Sequence, residues 1–254
     1  MQYDGLRFSF TDMLSEIQAM TKIGKDFLAG DTHSILLPKL YEDLQTLRGR
    51  PAGSKLDWEI SRRSPLRTIA GRKYEAQGRK SHHLVYGEVC GKWEIENDIG
   101  AKPGLAKYFK LRNNGQASIK VRVVDCSSQL RHLEIARWNV DVGDAASPGC
   151  HFHTQICLEP CMWFPKSLSV PRLPALLHTP MDVLEFLISE LFQNEWQRHV
   201  AATSREMQVW NVCQKKRLLS LLKWQHRTIA NATGSPWTAL KTTKPESTAL
   251  LQES

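Results

Sequence analysis

His82-His83-Leu84-Val85-Tyr86-Gly87-Glu88-Val89-Cys90-Gly91-Lys92-Trp93-Glu94-Ile95-Glu96 spaces its large apolar residues by even intervals. Val85, Val89, Trp93 and Ile95 fall on one parity, and Tyr86, Glu88, Glu94 and Glu96 on the other. Successive side chains of a strand point to opposite faces, so the alternation predicts a half-buried β-strand rather than a helix. Gly87 and Gly91 interrupt the run and are expected to mark a bulge or bend across which the parity slips.

The same period continues downstream. Within 117–125, Ile119, Val121 and Val123 oppose Ser118, Lys120 and Arg122, and 130–142 and 151–157 are further strand candidates. Asn113-Asn114-Gly115 is a strong turn signal, across which 108–111 is expected to pair with 117–125 as a hairpin. Closely spaced strands with no crossover helix between them imply an antiparallel sheet.

On either side of the sheet the spacing turns helical. Met13, Leu14, Ile17, Met20, Phe27 and Leu28 recur at helical intervals, with Thr11 or Asp12 placed as cap, and a second helix over 37–47 has Pro38 in its first turn. After a connector carrying Pro165, Pro171 and Pro174, Thr179-Pro180-Met181-Asp182 reads as a capped helix start. It leads into Val183, Leu184, Leu187, Ile188, Leu191, Phe192 and Trp196, and a last helix spans 204–229. The expected fold is α+β, a central antiparallel sheet of about five strands flanked by two N-terminal helices and two long C-terminal helices. It forms one domain over 1–229, made of helices 11–47, a basic segment 48–80, the sheet 82–157 and helices 179–229. The tail 230–254, rich in Ser and Thr with Gly234, Pro236 and Pro245, is expected to be disordered.

The chain has 254 residues and a net charge of +8. No apolar run approaches the roughly 18 residues needed to span a bilayer, and the first ten residues lack a signal-peptide layout, so a soluble cytoplasmic protein with no membrane partner is expected. Six cysteines are too sparse for a disulfide scaffold and are expected as thiols or metal ligands. Between 48 and 80 ten Lys and Arg face three Asp and Glu. That concentration attracts polyanions, nucleic acid first, with Arg62, Arg63, Arg67, Arg72 and Lys73 as the contacts and Trp58 and Tyr74 as stacking surfaces. A solvated, flexible basic surface is the plainer alternative. The absence of a phosphate-binding glycine loop argues against NTP- or NAD-driven chemistry, and there is no G-x-S-x-G elbow.

His151-Phe152-His153-Thr154-Gln155-Ile156-Cys157 carries the candidate chemistry. On a strand His151, His153, Gln155 and Cys157 share one face. Paired imidazoles suit proton transfer at neutral pH, so His151 and His153 are expected as acid and base for phosphodiester cleavage. Arg122 and Arg137 would stabilise the phosphorane, while Glu88 and Glu134 would orient the imidazoles or themselves act as acid and base. A divalent metal such as zinc, held by His151, His153, Cys157 and Cys161, is a further expectation. Two functions remain open: a nucleic-acid hydrolase, or a non-enzymatic nucleic-acid-binding or accessory subunit of a larger complex. In the accessory reading a protein partner would dock on the tryptophan-rich C-terminal helices, which carry Trp196, Trp210 and Trp224; their plainer role is core.

Overall fold

The chain begins with β1 (Leu6–Ser9), which turns directly into α1 (Phe10–Ile23), and a π-helical turn at Thr32–Leu36 precedes α2 (Leu37–Gly49). The strands that follow are β2 (Lys55–Ile60), β3 (Leu66–Arg67), β4 (Gly71–Tyr74), β5 (His83–Asn97), β6 (Tyr108–Leu111), β7 (Ser118–Asp125), β8 (Leu133–Val142), β9 (Phe152–Cys157) and β10 (Leu173–Pro174). Three helices close the chain: α3 (Pro180–Val200), α4 (Arg205–Ala230) and α5 (Pro236–Thr242). The computed structural model describes residues 6–74, 83–97, 106–111, 118–128, 132–142, 152–157, 173–174, 179–201 and 204–242, in parts of the strands by backbone alone.

The fold is α+β, and β5 to β9 are the five strands legible in the sequence. All the pairs are antiparallel, in the order β1-β6-β5-β7-β8-β9-β10. β2, β3 and β4 lie in succession along the other edge of β5. Within the described part of the basic segment, three stretches are strands of the sheet. Leu56, Trp58 and Ile60 alternate with Lys55, Asp57 and Glu59, and Trp58 is buried with its indole N–H donating to the Leu40 carbonyl at 3.1 Å.

β6 and β7 do not form the expected hairpin. Both pair with β5, end to end along one edge: Leu111 faces Ile95, while Lys120 faces Cys90 and Asp125 faces Val85. A strand of 15 residues offers separate pairing sites to both. Asn113-Asn114-Gly115 lies outside the described residues.

Nor does the parity of β5 slip. Val85, Val89, Trp93 and Ile95 are all buried, and the two glycines serve close approach. A Cβ on Gly87 would stand 2.4 Å from Leu187 Cδ1 of α3, and one on Gly91 would stand 3.1 Å from Ile119 Cα of β7. α3 thus packs against the face of β5 that carries Val85 and Val89.

The helix ends follow cap chemistry. Ser9, rather than Thr11 or Asp12, caps α1 by accepting from the Asp12 N–H at 3.1 Å. α1 stops at Ile23, so Phe27 and Leu28 lie beyond it, yet both are buried. Thr179 and Asp182 form the capping box of α3, as its sequence implied. Gln193 breaks α3 at φ 31°, after which Trp196 meets the Phe27 ring edge-on at 5.3 Å. Asn97 ends β5 and donates from Nδ2 to the carbonyls of Leu47 (2.7 Å) and Arg50 (2.9 Å), satisfying the C-terminal turn of α2. Within the tail, α5 starts at Pro236, with Ser235 Oγ accepting from the Thr238 N–H at 3.4 Å, and residues 243–254 lie outside the described residues. Among the described residues no helix is long and apolar enough to cross a membrane.

A charged cluster is sealed where α1, α3 and α4 meet. Arg217 of α4 bonds Glu16 of α1 and the hydroxyl of Thr179 at 3.2 Å, with Asp182 of α3 at 3.4 Å. One guanidinium cannot balance two carboxylates in a dry site, so one carboxyl tends to keep its proton. Burial pushes Glu16 up to about 7, against the opposing pull of Arg217. Burial raises the neighbouring Glu185 as well.

Two tests arise from the packing. Gly87→Val should cost about 2 kcal/mol in chemical denaturation. Leu187→Ala should recover part of that loss in the double variant, whereas additive losses would deny the contact. Because the folded value of Glu16 lies above its usual 4.5, its stabilising contribution is complete below pH 4.5 and is lost as pH rises through 7. Glu16→Gln should therefore flatten the stability profile between pH 4.5 and 7, measured by denaturant titration at each pH.

Candidate functional site

Two adjacent cross-strand rows define the two faces of the sheet. Leu66 of β3, Val89 of β5 and Val121 of β7 are aligned and buried on the face toward α3. One residue along, Arg67, Glu88, Arg122, Arg137 and Cys157 are aligned in register across β3, β5, β7, β8 and β9. Alternation places this second row on the outer face.

The outer row is held by ion pairs. Arg122 and Arg137 stand directly opposite each other in register, which places like charges at the closest cross-strand separation. Glu134 relieves this by accepting from Arg122 Nε at 2.6 Å and pairing with Arg137 Nη2 at 2.5 Å. A register shift between Val123 and Val124 sets Glu134 opposite Val124 and brings its carboxylate back to the row. Glu88 pairs with Arg122 Nη1 at 3.2 Å. Burial alone would raise the Glu134 carboxyl, but the hydrogen bonds from Arg137 and Arg122 outweigh it and hold the group below the usual carboxylate range.

Beside this ladder the Arg67 guanidinium lies over the Tyr86 ring at 5.7 Å. Tyr86 Oη sits 3.4 Å from His132 Nδ1, and the two rings are 5.8 Å apart. Arg62 and Arg63 are exposed on the turn between β2 and β3, and no carboxylate among the described residues pairs with either. Cys90, on the same parity as Glu88, is buried; burial pushes its thiol up while Arg62, Lys120 and Arg122 pull the other way.

No family model matches this chain, and no curated protein or solved structure resembles it. The side chains themselves must carry the functional reading.

Of the expected catalytic set, Glu88, Arg122, Glu134 and Arg137 come together. His151 lies outside the described residues, and His153 is described by backbone alone. The register sets His153 opposite Asp141 and Pro174, four positions along β9 from Cys157, the partner of Arg137. About 13 Å of strand separates the two positions, so His153 is out of register with the ladder. Of the expected zinc ligands, His153 and Cys157 lie four positions apart on β9 and are described by backbone alone. Cys161 also lies outside the described residues, and among those described no group of three or more His, Cys, Asp and Glu is placed to hold a metal.

Arg62, Arg63 and Arg67 are exposed, as nucleic-acid contacts require, while Arg72 and Lys73 are described by backbone alone in β4. Trp58 is core, which removes it as a stacking surface. Tyr86 and His132 were missed; the parity of Tyr86 with Glu88 was the available signal, and His132 had none. Burial also raises the thiols of Cys126 and Cys213, the latter to about 12, so with Cys90 they are poor nucleophiles near neutrality.

Glu134→Gln should leave Arg122 and Arg137 facing each other with no charge between them. The expected loss is about 1 kcal/mol, measured by urea denaturation at pH 7. The folded value of Glu134 is depressed, so its contribution is present above the ordinary carboxylate range and vanishes as pH falls through that lower value. Wild type and variant should therefore converge in acid; an undiminished gap there would deny the ion pairs their role.

Proposed function

We propose that this chain is a non-enzymatic nucleic-acid-binding protein of the cytoplasm, holding the phosphate backbone across the outer face of its sheet. The observation that carries the reading is the charge of that face and its rim. Around the ladder and the turn beside it, Arg62, Arg63, Arg67, Lys120, Arg122 and Arg137 stand against Glu88 and Glu134, while Asp57, Glu59 and Glu94 lie farther along the same parity, where β2 pairs with β5. Exposed arginines bind phosphate oxygens in pairs, and a polyanion gains by releasing its counterions. The Arg67 guanidinium, lying over the Tyr86 ring, adds a plane on which an unpaired base can stack.

The binding reading is favoured over hydrolysis by what Arg122 and Arg137 already do. Both guanidiniums are engaged by Glu134 at 2.6 Å and 2.5 Å, so neither stands ready for a phosphorane. Holding a backbone needs only the exposed arginines at the rim.

Fluorescence anisotropy with a labelled single-stranded oligonucleotide tests the proposal. Reversing Arg62, Arg63 and Arg67 to Glu should weaken binding at least about tenfold and flatten the slope of log affinity against log salt by about 2. Glu134→Gln should act in the opposite sense and tighten binding, because it removes a carboxylate from beside Arg122 and Arg137. A wild-type chain that ignores the oligonucleotide at moderate salt, or a triple variant that binds it unchanged, would remove the proposal.

A further inference from the structure

The exposed large apolar residues concentrate on one helix. Val212 (67%), Leu218 (40%), Leu219 (45%), Leu222 (49%) and Ile229 (43%) all lie on α4, and Trp237 (72%) lies on the α5 that follows. Single exposed leucines are ordinary, but five along one helix are not. α4 buries its other side, through Met207, Trp210, Gln214, Arg217 and Leu221. The outward residues keep a heptad spacing: Val212 and Leu219 are seven apart, as are Leu222 and Ile229, with Lys215 and His226 at the intervening seam positions. The seam runs for about 26 Å.

We propose that this outer face of α4 docks an acidic amphipathic helix of a partner protein. The heptad spacing selects a helix as occupant, because apolar residues repeating by three and four present knobs and holes to another helix and to little else. The charge selects an acidic one. Glu206, in the first turn, is the sole carboxylate of α4, and it is paired with Lys22 at 2.9 Å. The exposed surface beyond it carries Lys215 and Lys223, with Lys216 paired to Asp12 of α1 at 3.3 Å. Lys215 lies within the seam itself, where an opposing carboxylate would pair with it.

A second copy of the chain fits less well, since an antiparallel pair would bring Lys216 and Lys223 of one copy against the same residues of the other. A lipid surface fits less well too. A membrane-bound helix keeps its cations at the margins of an unbroken apolar arc, whereas Lys215 and His226 interrupt this one. The seam is a helix surface and the proposal does not rest on nucleic-acid binding by the sheet.

The test uses the full chain and synthetic helical probes of about 28 residues, with leucine at both seam positions and glutamate or lysine at the flanks. The glutamate probe should bind about tenfold more tightly than the lysine probe by anisotropy, and the preference should shrink in high salt. Leu219→Glu with Leu222→Glu should abolish binding without moving the melting temperature, because both side chains are exposed. Lys215→Glu with Lys223→Glu, which preserves the apolar seam, should invert the preference between probes. Equal binding of both probes, binding of neither, or binding that survives the leucine changes overturns the proposal. So does a wild-type dimer that those changes dissociate in sedimentation, which would give the face to a second copy. Adsorption to phosphatidylserine vesicles lost in the same variant would give it to a membrane.

Discussion

A strand paired along both of its edges has no backbone group left to satisfy, and everything it touches must accept its register. β5 approaches that position over Val85–Val89 and again over Ile95–Asn97. One edge takes β2, β3 and β4 in succession, and the other takes β6 and then β7. Two stretches of chain, each interrupted, are thereby laid antiparallel along a single spine. Gly91 allows the changeover because β7 passes too close for a side chain, and Gly87 lets α3 settle onto the strand. The outer charge ladder is a product of the same constraint. Arg67, Glu88 and Arg122 align because their strands have no other register available.

The strands with a clean period of two were legible, as were the capping box at Thr179 and the helix start at Pro38. The short strands beside β5 were not. Lys55–Ile60 alternates as clearly as any strand, but it is short and lies inside a segment that is basic as a whole. β3 and β4 have two and four residues, too few for a period to show. Asn113-Asn114-Gly115 illustrates a more general limit. β6 and β7 both run antiparallel to β5 and so share a direction; a turn signal between two strands does not choose their partners. In the site, Glu88 and Arg122 shared a readable parity with their neighbours. The return of Glu134 to their row required the register shift at Val123 and Val124, which no local pattern announces. The chemistry of His153 was conspicuous in the sequence, whereas its position along β9 relative to the arginines depended on pairing.

Arginine works in two regimes here. Arg122 and Arg137 lie at a partly exposed surface, where solvent screens them and a single carboxylate keeps them together. Arg217 is enclosed and ties α1, α3 and α4 through Glu16, Thr179 and Asp182. Breaking the first arrangement disturbs one face of the sheet. Breaking the second would strand a charge among three helices, a far more costly event.

The strand order ends in β1 and β10, with four and two residues. An open row of amides and carbonyls on a wide sheet invites a foreign strand to add on, and such addition is how fibrils grow. Segments this brief offer little template. The lateral boundary at β2 is longer, yet it is studded with Lys55, Asp57 and Glu59. The architecture that crowds pairing onto one central strand thus leaves its borders too short or too ionic to seed polymerisation.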